Sequence, residues 1–434
     1  MMKTEWYNSG VKFTLAFLSF LYLVRETVSI SYGIPDAAPA LALAGDFFNI
    51  YLELFVIINA GFLSRFIPGK VGIFYSFLPA LVLWSFFQIL GLAKYKVEFA
   101  RDTIEYPGEL RDKEKLRGVH YFGRFRDQEI NFEKICQNNI EHLVLVPYGY
   151  QAAYNRPELD FERRNRRRSF DRDSMYLVMA QKAGAEGLEV IVKPHIWMRP
   201  ENGKWRSDIG FSNLEDFEKW AADYSAFILH YARLSENMGA SHFCIGTELA
   251  GLTRDHDAFW RDLIKKVRKE FSGKIFYAAN WYREYEQIDF WTDLDFIGVQ
   301  AYFPICKRAN PSVGELKEGW KVYRQRLRKI SRKYNRPILF SELGYRSMED
   351  AAIDPWAWVD HESASGTKMS EETQARCYEA FFQTFWHEPW FSGALIWQWH
   401  AGHEEEGELD VHARLDFTPQ NKVAQEVMAT WFGR

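Results

Sequence analysis

From Lys115 onward, short apolar runs alternate with longer stretches whose apolar residues recur every three or four positions. The runs are KLRGVHYF (115–122), EHLVLVPYGY (141–150), LEVIVKPHIW (188–197), SHFCIGTEL (241–249), KIFYAANW (274–281), LDFIGVQAYF (294–303), RPILFSELGY (336–345) and SGALIWQWH (392–400). Most are nearly continuous in apolar residues, the pattern of parallel strands covered on both faces. Between them, residues 213–239, 257–273, 314–335 and 370–389 have apolar positions at helical spacing with charges opposite. Ser212 and Ser370 stand where the first and last of these helices would be capped, and Glu372 lies near a capping-box position. Only YREYEQIDFWTD (282–293) is available for a helix between the fifth and sixth strands. Strand–helix units repeated eight times over about 320 residues predict an α/β fold, a (β/α)8 TIM barrel.

The first 95 residues have a different pattern. VGIFYSFLPALVLWSFFQILGLA (71–93) carries no formal charge over a length that crosses a bilayer core as a helix. FFNIYLELFVIINAGFL (47–63) is similar but holds Glu53, and FTLAFLSFLYLV (13–24) ends against Arg25 and Glu26. No small-residue cleavage site follows Val24 promptly, so a signal peptide does not account for the pattern. The expected organisation is a transmembrane helical region over 1–95, with about three spans near 11–30, 45–65 and 71–93, followed by a catalytic domain over 96–434. Asp46, Asn49 and Glu53 share one helical stripe, which motivates a membrane-protein partner for these helices. Flanking charges tie, with Lys3, Lys12, Arg65 and Lys70 against Arg25, Lys94, Lys96 and Arg101, so they select no orientation.

In a barrel of this kind the active site is built at the carboxy-terminal strand ends. Those ends here are His120 and Tyr121, then Tyr148 and Tyr150, then His195 and Trp197, then Thr247 and Glu248. Asn280 and Trp281, Gln300 and Tyr302, Glu342, and finally Trp397 to His400 complete the ring. Flat rings for pyranose faces, amides and imidazoles for hydroxyls, and an acid pair describe a sugar site. Strands four and seven lie across the barrel from one another, so Glu248 and Glu342 can meet over its mouth. Retaining glycosidases need such carboxyl groups about 5–5.5 Å apart, one a nucleophile and the other an acid that later acts as base. Tyr302 is placed to donate a hydrogen bond to Glu342, and Trp356 and Trp358 follow strand seven as further sugar contacts.

FCIGTEL (243–249), SELGYRS (341–347) with AAIDPW (351–356) downstream, and DFTPQNK (416–422) resemble glycoside hydrolase family 113 within clan A. The resemblance spans about residues 115–434 and implies a (β/α)8 retaining enzyme acting on β-1,4-mannans and manno-oligosaccharides, with no cofactor. It implies Glu248 as acid/base and Glu342 as nucleophile. Thr247 stands where much of the clan has an Asn that meets the sugar 2-hydroxyl, so Thr247 is expected to read that position differently. The expected substrate-binding set is Tyr121, His195, Trp197, Thr247, Asn280, Trp281, Tyr302, Trp356 and Trp397, with no metal.

Composition narrows the remaining choices. A formal charge of −4 over 434 residues argues against a nucleic-acid partner bound by phosphate neutralisation. Aromatic residues make up 17% of the chain and include 16 Trp; a large core and a membrane belt account for more than half of them, and concave sites that stack sugars or bases use the same rings. Four cysteines are widely spread, without metal-binding spacing, and read as buried thiols. The arginine-rich ERRNRRRSFDRD (162–173) reads as a solvated face, with lipid headgroups as its other partner. The acids and histidines of HAGHEEEGELDVH (400–412) lack the helical spacing of a metal site. The expected protein is an integral membrane glycosidase of a bacterial cytoplasmic membrane, its barrel outside with the glycan and its helices in membrane lipid. Two other readings stay open: a non-hydrolytic glycan-binding or scaffold component, and a transglycosylase in polysaccharide assembly.

Overall fold

A computed structural model of the chain describes residues 110–122, 132–161, 172–199, 203–358, 368–401 and 414–434. The expected membrane spans, the Asp46/Asn49/Glu53 stripe, the boundary at 95, and nearly all of 162–173 and 400–412 lie outside these residues. Among the described residues no helix is long and apolar enough to cross a membrane.

Among the described residues eleven strands are formed, and eight of them close a parallel barrel. The barrel strands are β1 (Leu116–Phe122), β2 (His142–Leu145), β5 (Glu189–Val192) and β7 (His242–Thr247). β8 (Lys274–Asn280), β9 (Phe296–Gln300), β10 (Ile338–Leu343) and β11 (Phe391–His400) follow, and β11 pairs back onto β1. Seven fall within the apolar runs, and β11 begins one residue before its run, at Phe391. Leu116, Val144, Ile191, Cys244, Phe276, Leu339 and Leu395 form a separate buried cluster drawn from seven of the strands, which fills the barrel. The alternate residues join a larger cluster against the surrounding helices.

The second and third apolar runs each divide in two. β3 (Tyr148–Gln151) and β6 (His195–Trp197) leave the barrel and pair with each other in a three-stranded sheet with β4 (Leu159–Asp160). Both breaks fall at a proline, Pro147 and Pro194, which has no N–H to continue a ladder. The small sheet starts where the His195 N–H donates to the Pro147 carbonyl at 2.8 Å. It carries residues 148 and 195–197 above the barrel mouth.

The helices follow their apolar stripes. Leu214–Asn237 buries Trp220, Tyr224, Phe227, Ile228 and Tyr231, and Asp257–Glu270 buries Trp260, Leu263, Ile264 and Val267. The cap of the first is Asn213, which accepts the Asp216 N–H at 2.8 Å, and not Ser212. Ser370 does cap Glu371–Phe385, accepting the Thr373 N–H at 3.1 Å. Glu372 closes no capping box; the reciprocal pair is Ser312 and Glu315, at the start of Val313–Tyr334. The short link after β8 holds one turn of helix, Glu284–Gln287, and a 3-10 turn, Phe290–Asp293.

Candidate active site

The carboxy-terminal strand ends open into a cavity of about 800 Å³ lined by both Glu248 and Glu342. His195, Trp197, Asn280, Trp281, Tyr302, Trp356 and Trp397 also line it, so seven of the nine expected contact residues are brought together. Tyr121 and Thr247 are not. Tyr121 is buried on the helix side, edge-on to Phe132 at 5.4 Å, because it shares the outward parity of Val119. The inward neighbour is His120. Thr247 is buried with its hydroxyl 3.9 Å from the Cys244 sulfur, inside the barrel beneath the cavity.

Glu342 is 3% exposed at the end of β10. Its Oε1 lies 2.5 Å from Nζ of Lys193, and its Oε2 accepts the Tyr302 hydroxyl at 2.9 Å. Lys193 is wholly buried, and its Nζ is also near the Gln300 Oε1 at 3.1 Å, the Ser341 carbonyl at 3.0 Å and the His120 Nε2 at 3.3 Å. Burial lowers Lys193 from its ordinary range, but four acceptors around one nitrogen fit an ammonium with three protons. Burial, the largest influence, would raise the Glu342 carboxyl; Lys193, with His120 and Arg206 adding to it, brings the group down to about 2. Tyr302 is pushed well above the usual phenol range by burial and by the Glu342 charge, so it stays a donor. His120 is brought down to about 3 by burial and by Lys193. The neutral ring donates from Nδ1 to the Ile396 carbonyl at 3.1 Å, leaving Nε2 to accept from Lys193.

Glu248 follows β7 in the left-handed region, at φ 53°. A non-glycine residue holds that conformation only where its surroundings fix it. Here the Glu248 N–H donates to the Ala278 carbonyl at 2.9 Å and the Leu249 N–H to the Tyr277 hydroxyl at 2.7 Å. The side chain turns into the cavity, where Oε1 accepts from the Asn280 amide at 3.0 Å. Oε2 meets the Arg206 guanidinium through Nε at 3.0 Å and Nη2 at 2.9 Å. Arg206 stands on a 3-10 turn, Arg206–Asp208, whose Asp208 accepts the Trp205 N–H at 2.9 Å.

His195 links the two sides. Its Nδ1 is 3.5 Å from Arg206 Nη1 and its Nε2 is 3.5 Å from Glu342 Oε1. Burial and the charges of Lys193 and Arg206 hold it well below the imidazole range. A neutral ring facing a guanidinium through Nδ1 carries its proton on Nε2. That buried Nε2 has no hydrogen-bond partner among the described residues, and His195 lines the cavity, so the ring holds a donor ready for a hydroxyl.

Aromatic walls complete the site. Trp397 stacks parallel to His195 at 6.2 Å, and Trp281 stacks on Trp356 at 5.0 Å. Trp197, Trp356 and Trp358 are 44%, 42% and 61% exposed, so open ring faces surround the mouth. Gly344, two residues after Glu342, lies where a Cβ would meet the Trp397 carbonyl at 2.4 Å, which explains a glycine so close to the carboxylate. Lys193, Arg206, Tyr148, Trp205 and Phe417 belong to the site and escaped the sequence reading as contacts.

Among the described residues one group has metal-ligating types in reach of each other: His142, Glu189 and His242, with ligand atoms within 4.8 Å. They stand at the amino-terminal strand ends, away from the cavity. The Arg117 N–H donates to His142 Nδ1 at 3.4 Å, which leaves the proton on Nε2, facing Glu189 Oε2 at 3.5 Å. In this tautomer His142 and Glu189 form a hydrogen-bonded pair beside a second histidine.

The model of Glycoside Hydrolase Family 113 matches residues 120–422. No curated protein matches the chain in sequence. Among solved structures, a complex of a GH113 β-1,4-mannanase aligns with a TM-score of 0.60 at 22% identity, covering 74% of this chain and 99% of that one. The GH113 β-mannanase AaManA from Alicyclobacillus acidocaldarius, in complex with ManMIm, aligns with a TM-score of 0.60 at 26% identity, covering 74% and 97%.

Proposed function

Because the chain belongs to glycoside hydrolase family 113 and is a glycoside hydrolase, we propose that it cleaves β-1,4-linked mannan or manno-oligosaccharides with retention of configuration. Glu342 is the nucleophile in this reading and Glu248 the acid/base. The observation that carries it is one aromatic-walled cavity lined by two buried carboxyl groups with separate cationic partners, Lys193 for Glu342 and Arg206 for Glu248. The mannan preference draws on the two β-mannanase structures that align over most of their length.

Glu342, ionised beside Lys193 and aimed by Tyr302, attacks the anomeric carbon while Glu248 protonates the leaving oxygen. A glycosyl ester on Glu342 results. Glu248, now a carboxylate, takes a proton from water, which displaces Glu342 and restores both groups. Trp397 offers a flat face to the sugar at the reacting centre, and His195 offers its Nε2–H to a sugar hydroxyl.

Anchoring belongs to the proposal and rests on the apolar segments within 1–95 alone. The barrel is placed on the outer side of a bacterial cytoplasmic membrane, where soluble glycans lie, with membrane lipid and a membrane-protein partner around the helices. Protease accessibility in sealed vesicles tests it; protection of the barrel in right-side-out vesicles would reverse the orientation.

The chemistry is tested by incubating the full chain with β-1,4-linked manno-, gluco- and xylo-oligosaccharides and following the first-formed anomer by NMR. Hydrolysis of the manno series to the β-anomer, lost in Glu342→Ala and Glu248→Ala, is expected. Turnover surviving Glu342→Ala, or an α-anomer formed first, would overturn the mechanism.

A further inference from the structure

One buried carboxylate near the cavity has no part in the chemistry above. Glu284 opens the single helical turn after β8 and is 2% exposed, yet it does not line the cavity. Its Oε1 accepts the Tyr277 hydroxyl at 2.6 Å and the Thr253 hydroxyl at 3.0 Å; its Oε2 accepts the Asn280 N–H at 2.6 Å. Each partner leads back to Glu248. The Tyr277 hydroxyl in turn accepts the Leu249 N–H at 2.7 Å, immediately after the left-handed residue. Asn280 gives its side-chain amide to Glu248 Oε1 at 3.0 Å. Thr253 ends the short helix, Ala250–Thr253, that follows Glu248.

We propose that Glu284 is the positioning residue for Glu248, holding its left-handed backbone through Tyr277 and its carboxyl through Asn280. This rests on the reading of Glu248 as the acid/base. One buried carboxyl group with three fixed partners ties together the end of β7, the end of β8 and the helix between them. Glu248 must be held from outside because its own conformation is disfavoured. The two oxygens serve different arms, so the arms can be broken one at a time. Glu284→Gln keeps one carbonyl oxygen for the Tyr277 and Thr253 hydroxyls but turns an amide N–H toward the Asn280 N–H. Tyr277→Phe keeps the carboxylate and removes the bond to Leu249.

A group that only supports the fold would lower turnover of every substrate alike. A group that aims the acid affects only bonds that need a proton on departure. The test therefore compares, in the full chain, two glycosides of the same manno-oligosaccharide. One carries a dinitrophenolate leaving group, which departs unprotonated, and the other an alkyl alcohol. For Glu284→Gln and Tyr277→Phe, kcat/KM on the alkyl glycoside is expected to fall about 10- to 100-fold, while that on the dinitrophenyl glycoside stays within about twofold. Equal losses on both substrates, or no loss on either, would overturn the proposal. Glu248→Gln run alongside separates the two levels of the argument. If it shows the leaving-group dependence and the Glu284 and Tyr277 variants do not, only the positioning role fails. If Glu248→Gln shows none, the acid/base assignment fails and the positioning role falls with it.

Discussion

Lys193→Met removes the cation from the nucleophile while keeping an unbranched chain of similar length. In the native protein the Lys193 Nζ sits 2.5 Å from a Glu342 carboxylate that is 3% exposed. Without it, the carboxylate keeps the Tyr302 hydroxyl at 2.9 Å and a neutral His195, and loses its closest cation. Arg206 is then the cation left to oppose burial, and the carboxyl is expected to rise from about 2 past its ordinary 4.5. A rise of about 2.5 pH units corresponds to about 3.4 kcal/mol at about 1.36 kcal/mol per unit. Breaking a buried ion pair on one side costs about 3–5 kcal/mol, the same range. Because unpaired buried glutamates reach about 8–9, the acid limb of kcat/KM should move into the region of about pH 6–8. The assay is a pH profile of kcat/KM, with chemical denaturation at pH 7 beside it. Lys193→Met/Glu342→Gln, which buries two neutral groups, should recover most of the stability that Lys193→Met loses. An acid limb within about one unit of wild type would refute the claim that Lys193 sets the ionisation of Glu342.

Further outcomes follow from the same contacts. Tyr302→Phe removes a hydrogen bond to a buried carboxylate, a kind worth about 1.5–3 kcal/mol, so kcat/KM should fall about 10- to 100-fold with the fold intact by circular dichroism. Trp356→Ala removes a half-exposed ring stacked on Trp281, and should raise KM for longer oligosaccharides while leaving the shortest substrate unchanged; equal effects would place Trp356 outside the sugar path. Glu284 is raised by burial to about 7, with the Glu248 charge adding to the rise and its three hydrogen bonds opposing it. Its contribution to stability is therefore full below pH 4.5 and lost as pH climbs through 7, at most about 3 kcal/mol; Glu284→Gln should flatten that part of a stability–pH curve. Glu342 has the opposite sign: its contribution is present above pH 4.5 and lost toward pH 2, and Glu342→Gln should remove that acid loss.

Much of this architecture is written in the apolar runs, because strands covered on both faces must be apolar along most of their length. The runs located all eight barrel strands, and the strand-end rule located the cavity. What the runs do not encode is where a strand leaves the barrel. Pro147 and Pro194 carry that signal, and β3 and β6 begin just after them. Arg206 was invisible for another reason: it lies on a loop turn with no periodicity, and only its approach to Glu248 gives it meaning. Lys193 sat inside an apolar run and was read as part of the strand.

Side-chain alternation explains which readings of the site succeed. Leu116 and Leu395 lie in the barrel's interior cluster, so residues an even number further along the same strand face inward. That rule selects His120 over Tyr121 on β1, and Trp397 on β11. Lys193 and His195 keep the parity of the interior Ile191, two and four residues before them, although β5 ends at Val192 and His195 stands on β6. The rule also holds for Glu248, four residues beyond the interior Cys244, and fails at Glu342. On β10, Leu339 faces inward and Phe340 joins the helix-side cluster, so Glu342 should point outward with Phe340. The pairing with β9 slips between Phe340 and Glu342, and beyond the slip both the Ser341 hydroxyl and the Glu342 carboxylate meet interior partners. On β7 the pairing with β8 slips between Cys244 and Thr247, and the left-handed Glu248 then swings its side chain into the cavity. The nucleophile is thus aimed by a break in regular pairing, while the groups that charge and orient it, Lys193 and Tyr302, stand just past the ends of β5 and β9. A residue's identity and its place at a strand end can be read from the chain, but at Glu342 its direction depends on a slip in pairing. That slip is set by neighbouring strands distant in sequence, which is why Glu342 could be named from the pattern and its direction could not be derived from strand parity.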